Sequence, residues 1–377
     1  MMPALFWVSA GLFLSSWMMY PLLLAVLSPV FRKYGEAWPD PEEWPDVSVL
    51  IAARNEQDVI AARIENLLDQ DYAGRVQVLV GSDSSDDGTD GIVAGYSSRG
   101  VILHRSGRRI GKPMMMRELV ELASGSVLVF TDADTVFAVD TLTQLVRPYA
   151  RPEVGCVDGS RRNSLDGETC ESVYWRYEKA VKSLCSRMGA VLGATGAVFS
   201  IRRDLYRPVS PRRGDDFELA VMARIQGYDC VFNPRAVAME PSPDDSRQYR
   251  RLVRIVSWMV VSCLLLMYRS LRNGRLAVFV QLLVHKLLRW FSGVFLIAAT
   301  VFSGLLYGSA PYGAVFLLLC IFHAAAAMGY LLRGRMPSKL LFPYYFWLMN
   351  GAAIDGILRA LTRNPVETWE RRKGGSH

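Results

Sequence analysis

Hydrophobic and polar positions alternate in blocks between residues 47 and 134, and the blocks predict strands and helices in turn. Four apolar, β-branched runs are typical of buried strands and cover residues 47–54, 76–83, 101–105 and 126–134. Helical patterns lie between them: one has Ile60, Ile64, Leu67 and Leu68 on one face, and another begins near Pro113 and ends at Ser124-Gly125. This alternation predicts an α/β fold whose mostly parallel sheet carries helices on both faces.

The carboxyl ends of such strands are the expected ligand site, because parallel sheets bind ligands beyond that edge. The fourth run, SVLVFTDAD, ends in Asp132 and Asp134, and the second run ends in Asp83. We expect the tip of the second strand to lie beside that of the fourth. The three carboxylates would then share one edge of the sheet.

Uncharged stretches on either side of these blocks predict membrane segments. Residues 1–31 carry no charged side chain, and such a run exceeds the roughly 20 apolar residues that cross a bilayer. We predict an uncleaved anchor, since basic residues before the run and a small-residue cleavage site after it are both missing. Arg32 and Lys33 follow, and positive charge favours the cytoplasmic side. The following domain is therefore expected in the cytosol, on the inner membrane.

The pattern divides the chain into six parts. They are an anchor (1–31), a linker (32–46), an α/β domain (47–243), amphipathic interface helices (244–290), two or three transmembrane helices (291–361) and a basic tail (362–377). Interface helices are predicted because the uncharged stretch 255–268 is short for a span and is bracketed by arginines. For residues 340–361, Pro343, Asn350 and Asp355 would suit a broken or re-entrant helix.

Charge and cysteine content narrow the partners. The net charge of +7 would suit nucleic acid, but the arginines concentrate beside apolar segments, which favours anionic lipid headgroups. We therefore expect membrane lipids, and no nucleic acid, as partners. The six cysteines form no C-x-x-C pair, which predicts free, mostly buried thiols. The four histidines are too dispersed for a zinc site or a catalytic triad.

Two carboxylates at the mouth of a buried strand can ligate one hard divalent cation through oxygen. Asp132 and Asp134 are therefore predicted to hold Mg²⁺ or Mn²⁺, which would neutralise a substrate diphosphate. Position matters here, because Asp69 and Asp71 form a second D-x-D at the end of a helix, where a solvated turn is a sufficient explanation. Turn chemistry would also explain the residues after Asp83.

A third acidic stretch, GDDFELAVMARIQGY (214–228), places Asp215 and Asp216 just before a helical pattern. Either residue could cap that helix. An inverting displacement needs a carboxylate as general base beside the leaving group, and Asp216 is our candidate. The stretch GRRIGKP (107–113) is one residue too short for a P-loop and has proline where Ser or Thr would bind metal.

Seven short motifs occur in a family order. They are AARNE (52–56), SDSSDDGT (82–89), GK (111–112), TDADT (131–135), GATGAVFSIRR (193–203), DDFEL (215–219) and RQYRRLVRI (247–255). Flanked by membrane segments, the set resembles membrane-embedded family 2 glycosyltransferases, the group that includes hyaluronan, cellulose and poly-N-acetylglucosamine synthases. The resemblance covers about residues 45–370. It implies a GT-A-type fold and an inverting, metal-dependent transfer from a UDP-sugar.

The resemblance also implies roles for individual residues. The donor-binding set would be Ala53, Asn55, Glu56, Asp83, Lys112, Asp132, Gln248 and Arg251, with Asp132 and Asp134 at the metal. The acceptor-binding set would be Gly193, Ala194, Thr195, Gly196 and Asp215. Asp216 would be the general base that deprotonates the acceptor hydroxyl.

The chain departs from the family pattern in two places. Asp215-Asp216 replaces the usual Glu-Asp pair, and Leu252 replaces the tryptophan that helps form the acceptor platform in polymer-making relatives. The expected acceptor is a growing exopolysaccharide. Single transfer to a lipid or polyprenyl-linked acceptor is the alternative that Leu252 favours. Two others are a non-catalytic membrane scaffold and a sugar nucleotidyltransferase, which would want a glycine-rich loop in place of AARNEQ.

Overall fold

The structure is a computed structural model that describes residues 1–163, 170–211, 213–240, 245–332, 336 and 338–362 of the 377-residue chain. The strands are β1 (Val47–Ala53), β2 (Val76–Asp83), β3 (Val101–Ser106), β4 (Val127–Asp132), β5 (Val136–Phe137), β6 (Val154–Asn163), β7 (Phe199–Arg202) and β8 (Asp229–Glu240). The helices of the first half are α1 (Met2–Leu14), α2 (Tyr20–Val30), α3 (Ile60–Leu68), α4 (Thr89–Ala94), α5 (Lys112–Leu122) and α6 (Thr141–Val146). Those of the second half are α7 (Cys170–Arg187), α8 (Asp215–Ile225), α9 (Asp245–Arg272), α10 (Leu276–Gln281), α11 (Leu288–Trp290), α12 (Ser292–Leu305), α13 (Tyr312–Leu332) and α14 (Phe342–Leu361). π-Helical turns at Ser15–Met19 and Leu282–Leu287 join α1 to α2 and α10 to α11.

The described strands form one sheet in the order β3-β2-β1-β4-β7-β6-β8-β5. Strands β1 to β4 run parallel to their neighbours in this set, β7 is antiparallel to both β4 and β6, and β8 is parallel to β6. All described strands except β5 and β7 therefore point the same way. The predicted mostly parallel α/β sheet is confirmed.

The first four strands begin within one residue of their predicted starts, and the apolar runs of β1, β2 and β4 are mostly buried in the sheet. Every residue of β1 is buried, as are the first five of β4. Helix α3 packs its apolar face, with Ile60, Ile64 and Leu67, onto the same core. Full burial of such side chains contributes about 1.5–3 kcal/mol each, which explains why these elements follow the hydrophobic pattern so closely.

One expectation about the sheet is wrong: the second strand is not beside the fourth. Strand β1 lies between them, since it pairs with β2 on one side and β4 on the other. The crossovers return to opposite sides of the central β1, and the order of strands reverses at the β1–β4 boundary. Crevices at such a reversal are where open α/β sheets bind ligands.

The described chain divides into two compact units. The sheet unit contains residues 31–163, 185–211 and 213–240, and the helical unit contains residues 1–30, 170–184, 245–332, 336 and 338–362. Most of α7 thus belongs to the helical unit, although the sequence pattern kept residues 47–243 together. Five cysteines lie among the described side chains, and all five are free, with only Cys320 outside the buried class.

Three described helical segments are long and apolar enough to cross a membrane: Met2–Val30, Tyr249–Arg272 and Tyr312–Leu332. The segments Leu276–Trp290 and Ser292–Leu305 pass the same test together, with a bend of 63° between them. Helix α9 is longer than its uncharged stretch because the flanking arginines continue the helix, and its interface location stays a prediction. Helix α14 is continuous rather than broken, because Pro343 lies in its first turn, where proline is tolerated, and Asn350 accepts hydrogen bonds from Ser292 and the amide of Gly293.

Candidate active site

The carboxyl ends of β1 and β4 form the centre of the candidate site. Ala52 pairs with Asp132 in the parallel register, so the loop after β1 and the aspartate at the end of β4 leave the sheet side by side. Ala53 is fully buried, whereas Asp132 and Asp134 are half-buried. The two aspartates therefore keep access to a ligand, Asp132 as the last residue of β4 and Asp134 in the turn that follows it.

Asp83, at the end of β2, holds the start of α5. Its fully buried carboxylate accepts hydrogen bonds from the amides of Ile110 (2.7 Å) and Gly111 (3.0 Å). Gly111 has a φ of +83°, a backbone conformation that is strained for residues with a side chain but not for glycine. Because Lys112 is the first residue of α5, Asp83 fixes the position from which the lysine reaches the sheet edge.

Lys112 lies between the aspartate at the end of β4 and the two aspartates at the start of α8. Its ammonium donates a hydrogen bond to Asp132 Oδ1. Burial lowers the pKa of Lys112, but the carboxylates of Asp132 and Asp215 outweigh that effect and hold it above its usual value, with a smaller contribution from Asp216. One cation therefore balances the strand-end aspartate and the two aspartates of α8.

The loops after β1 and β2 are joined by reciprocal hydrogen bonds. Asn55, at φ +55°, donates from its side-chain amide to Asp86 and accepts the backbone N–H of Asp86 at 3.0 Å. The amide of Glu56 donates to Thr89 Oγ1 at 2.8 Å. The predicted donor-binding residues Asn55 and Glu56 thus belong to two loops joined by hydrogen bonds, and their contact with a donor stays a prediction.

Asp215 and Asp216 form the first turn of α8. The N-cap position is Gly214, so the capping explanation for the two aspartates is wrong, although acidic side chains in a first turn suit the helix dipole. Asp216 Oδ1 accepts the amide N–H of Phe217 at 2.8 Å. Burial, and then the charge of Asp215, raise the pKa of Asp216 to about 6. A carboxyl group with that pKa suits proton transfer near neutral pH.

The GATG loop, defined here as Gly193 to Gly196, packs against the start of α8. The amide of Ala194 donates to the carbonyl oxygen of Asp216 at 3.4 Å, and a Cβ on Gly196 would stand 3.1 Å from Asp216 Oδ2. Gly193 has a φ of +91°. The structure therefore brings the predicted acceptor loop and the predicted general base together.

The carboxylates fit a divalent cation that is shared with a substrate. Among the described residues, no group of three or more His, Cys, Asp or Glu side chains could enclose a metal ion. Mg²⁺ in proteins is usually held by one or two carboxylates together with substrate phosphates and water, rather than by an all-protein cage. Asp132 and Asp134 match that donor set.

Two predicted donor residues lie on α9. The side chain of Gln248 lies outside the described residues, and Arg251 is half-buried in the helical unit. Their predicted roles in donor binding stay predictions. The second D-x-D, formed by Asp69 and Asp71, is exposed at the end of α3, as a solvated turn requires.

Sequence reasoning missed two charged residues that support the site. Arg63 is buried on the apolar face of α3, where it donates to Thr131 Oγ1 at 2.7 Å. Asp158 is buried in β6, where it accepts the amide N–H of Thr195 at 2.7 Å. Their signal was a charge at a position that the apolar periodicity assigns to the core.

Comparison with solved structures identifies the fold. A mannosyltransferase from Pyrobaculum calidifontis, solved in complex with GDP-Man and Mn²⁺, superposes with a TM-score of 0.71 over 95% of this chain and 99% of its own. The two sequences are 22% identical, so the likeness concerns the fold. The GT-A-type sheet with flanking apolar helices is therefore confirmed.

Curated relatives match over about half of this chain. N-acetylglucosaminyltransferases from Rhizobium leguminosarum bv. viciae and Rhizobium meliloti are 25% and 26% identical over 55% of this chain, and the chain spans about half their length (54%). A beta-monoglucosyldiacylglycerol synthase from Trichormus variabilis is 34% identical over 30% of this chain and 25% of its own. The profile "Glycosyltransferase like family 2" matches residues 45–254, more than half of the chain. The chain belongs to glycosyltransferase family 2.

Proposed function

We propose that the protein is a membrane-bound, inverting glycosyltransferase that moves a sugar from a UDP-sugar to a hydroxyl group of its acceptor. The observation that carries this proposal is the position of Asp216. Its carboxylate has a pKa raised to about 6, packs against the GATG loop and shares the cation Lys112 with Asp132. The proposed base Asp216, the GATG loop and the proposed donor-binding residue Asp132 thus lie in one cluster.

The proposed reaction is a single displacement. Asp216 takes the proton of the acceptor hydroxyl while that oxygen bonds to the anomeric carbon, and the bond from this carbon to the diphosphate oxygen breaks with inversion. The ammonium of Lys112 neutralises charge on the departing UDP. Mg²⁺ or Mn²⁺, held by Asp132 and Asp134, would supply further positive charge to the diphosphate.

The comparisons support the donor class. The Pyrobaculum mannosyltransferase is described with GDP-Man and Mn²⁺, a nucleotide sugar and a divalent cation. The nucleotide of that donor is GDP, whereas the family resemblance implies UDP here. GDP-mannose therefore belongs among the donors to be tested. The N-acetylglucosaminyltransferase relatives make an amino-sugar donor a natural first choice.

A growing exopolysaccharide is the proposed acceptor, and the apolar helical segments would hold the enzyme where such a chain is exported. A lipid or polyprenyl-linked acceptor is the second candidate. Leu252, in place of the family's tryptophan, and the local match to a diacylglycerol glucosyl-lipid enzyme favour it. We place the sheet unit on the cytoplasmic face of the inner membrane, because Arg32 and Lys33 follow the first apolar segment.

The first test is donor turnover by the full-length protein in lipid. UDP-sugars and GDP-mannose are supplied with Mg²⁺ or Mn²⁺, and released nucleoside diphosphate is measured for the parent, Asp216→Asn and Asp71→Asn. We expect release with one donor, a loss of about 10²–10⁴-fold in Asp216→Asn and no change in the exposed Asp71 control. Full activity of Asp216→Asn would refute the base assignment.

Product size then separates the acceptors. A ladder or smear on a gel supports polymer synthesis, and one lipid-soluble product supports single transfer. Absence of both turnover and nucleotide binding, in the presence of membrane lipid extract, would favour a non-catalytic scaffold.

A further inference from the structure

Arg63 is the most deeply buried cation near the proposed donor site. It is 2% exposed, although it is the largest of the side chains on the inner face of α3. Its described hydrogen bonds go to neutral groups, Asn66 Oδ1 at 2.6 Å and Thr131 Oγ1 at 2.7 Å. Burying an arginine is costly, so this position calls for a reason beyond packing.

The first reason is geometric, because Arg63 reaches both ends of the turn that carries Asp132 and Asp134. Before the turn it holds Thr131. After the turn its guanidinium lies 4.1 Å from the centre of the Phe137 ring. Asn66, which accepts from Arg63, also clamps the backbone of Phe137 with two hydrogen bonds of 2.8 and 2.9 Å. Arg63 and Asn66 therefore hold the turn at Thr131, before it, and at Phe137, after it.

The second reason is the direction of the Thr131 hydroxyl. A guanidinium can only donate, so Thr131 must accept from Arg63, and its own proton is directed elsewhere. That proton goes to the carbonyl oxygen of Ala197, at 2.9 Å. Thr131 directly precedes Asp132 and Ala197 directly follows the GATG loop, so the hydrogen bonds from Arg63 to Thr131 and from Thr131 to Ala197 connect the strand-end turn to the acceptor loop.

The third reason is charge. Burial lowers the pKa of Arg63 to about 9, and the carboxylates of Asp132 and Asp134 oppose that decrease. Arg63 therefore stays protonated at neutral pH. Its positive charge reduces the repulsion between two carboxylates that stand one residue apart.

We propose that Arg63 is a positioning residue that acts through Thr131, holding the Asp132–Asp134 turn and the end of the GATG loop in one arrangement. The consequence for donor binding rests on the proposed function, whereas the ordering of the two segments does not. Arg63 is assigned no contact with substrate or cation, and its effect would reach both through the backbone of residues 131–135 and 194–197.

The test compares Arg63→Met, Thr131→Val and the double variant in the full-length protein. Arg202→Met is the control, because Arg202 likewise donates hydrogen bonds within the sheet unit, in its case to backbone carbonyls such as that of Val154 (2.8 Å), and packs 5.1 Å from the centre of an aromatic ring (Tyr149). It lies at the opposite end of β4, where it pairs with Val127. The effect of losing an arginine that packs on an aromatic ring is thereby separated from the effect of losing the Arg63–Thr131 hydrogen bond.

Amide hydrogen exchange is the first readout, since it needs no ligand. We expect at least tenfold faster exchange in peptides covering 131–135 and 194–197 for Arg63→Met and for Thr131→Val, and no change there for Arg202→Met. The double variant should resemble Arg63→Met alone, because residues in one network are not additive. Unchanged exchange in both variants, or multiplied effects in the double variant, would overturn the proposal.

Affinity for UDP with Mn²⁺ is the second readout. Arg63→Met and Thr131→Val should each weaken it at least tenfold, while Arg202→Met stays within twofold of the parent. Thr131→Val keeps the test possible if Arg63→Met does not fold. A parent protein that binds no nucleotide would refute the proposed function and leave the exchange result to decide on Arg63. Normal affinity in both variants would refute the role of Arg63 at the donor site.

Discussion

The carboxylate of Asp216 lies directly against the α-carbon of Gly196. A Cβ atom on residue 196 would stand 3.1 Å from Asp216 Oδ2, which is tighter than nine in ten Cβ contacts in proteins. A side chain at this position must therefore move either the GATG loop or the carboxylate. The glycine leaves room for the base in its observed position.

Gly196→Ala is expected to lower kcat about 10–100-fold, because small displacements of a reacting group are costly. Affinity for the donor should stay within twofold, since the donor end of the site is not crowded. Initial rates and calorimetry with UDP separate the two effects. Gly91→Ala is the control, because a Cβ there meets nothing within 4 Å. Equal losses in both variants would contradict the steric argument.

The rate should have an acid limb that belongs to Asp216. Burial and the charge of Asp215 raise the pKa of Asp216 to about 6, and a general base works deprotonated. We expect kcat/KM to fall about tenfold per pH unit below that value and to level off above it. Asp215→Asn removes a charge that raises this pKa, so the limb should move to lower pH. A limb that stays in place would argue against Asp216 as the titrating group.

The same raised pKa makes Asp216 costly for stability. Its folded pKa of about 6 exceeds the ordinary value of 3.8, so the folded state loses stability as pH rises from about 4 to about 6. Asp216→Asn should therefore raise the free energy of unfolding by about 1 kcal/mol at pH 7, allowing for partial solvent exposure. The gain should vanish near pH 4. Thermal unfolding of both proteins at the two pH values measures it, and an equal gain at each would reject the electrostatic cause.

Asp83 should matter through Lys112 rather than by touching the donor. Asp83→Ala leaves the amides of Ile110 and Gly111 without their acceptor, and because both residues are only half-buried we expect a total cost of about 1–3 kcal/mol. The start of α5 then loosens, and donor affinity should fall with stability. Denaturant unfolding and UDP binding provide the measurements. Asp69→Ala, at an exposed position, should change neither.

Local patterns predicted the parts of the fold that burial decides. The sequence predicts β1 to β4 and the apolar face of α3, because a strand or helix face in the core needs apolar residues at fixed intervals. The order of the strands in the sheet cannot be predicted from these patterns, because it depends on the direction in which each crossover returns to the sheet. Asp83 was therefore assigned a neighbour, β4, from which β1 separates it.

The site divides in the same way. Asp132 and Asp216 could be found because a carboxylate at the end of an apolar run or at the start of a helix is conspicuous. Arg63 could not be assigned a purpose from sequence, since its partners Thr131 and Phe137 are more than 60 positions away along the chain. A charge at a core position of α3 was the available sign, and only the packing of the sheet explains it.

The path of the chain between the two units limits how this protein can be dissected. The described chain changes unit between residues 30 and 31, 163 and 170, 184 and 185, and 240 and 245. Residues 170–184 are therefore an excursion in the middle of the catalytic sequence, not a terminal extension. A soluble fragment made by removing the N-terminal and C-terminal helical regions would still carry Tyr177 and Glu178. Their partners Trp17 and Arg289 would be missing from it. Crystallisation or screening with a fragment would need that internal segment replaced by a polar linker, whereas trimming the termini alone would expose a buried charge.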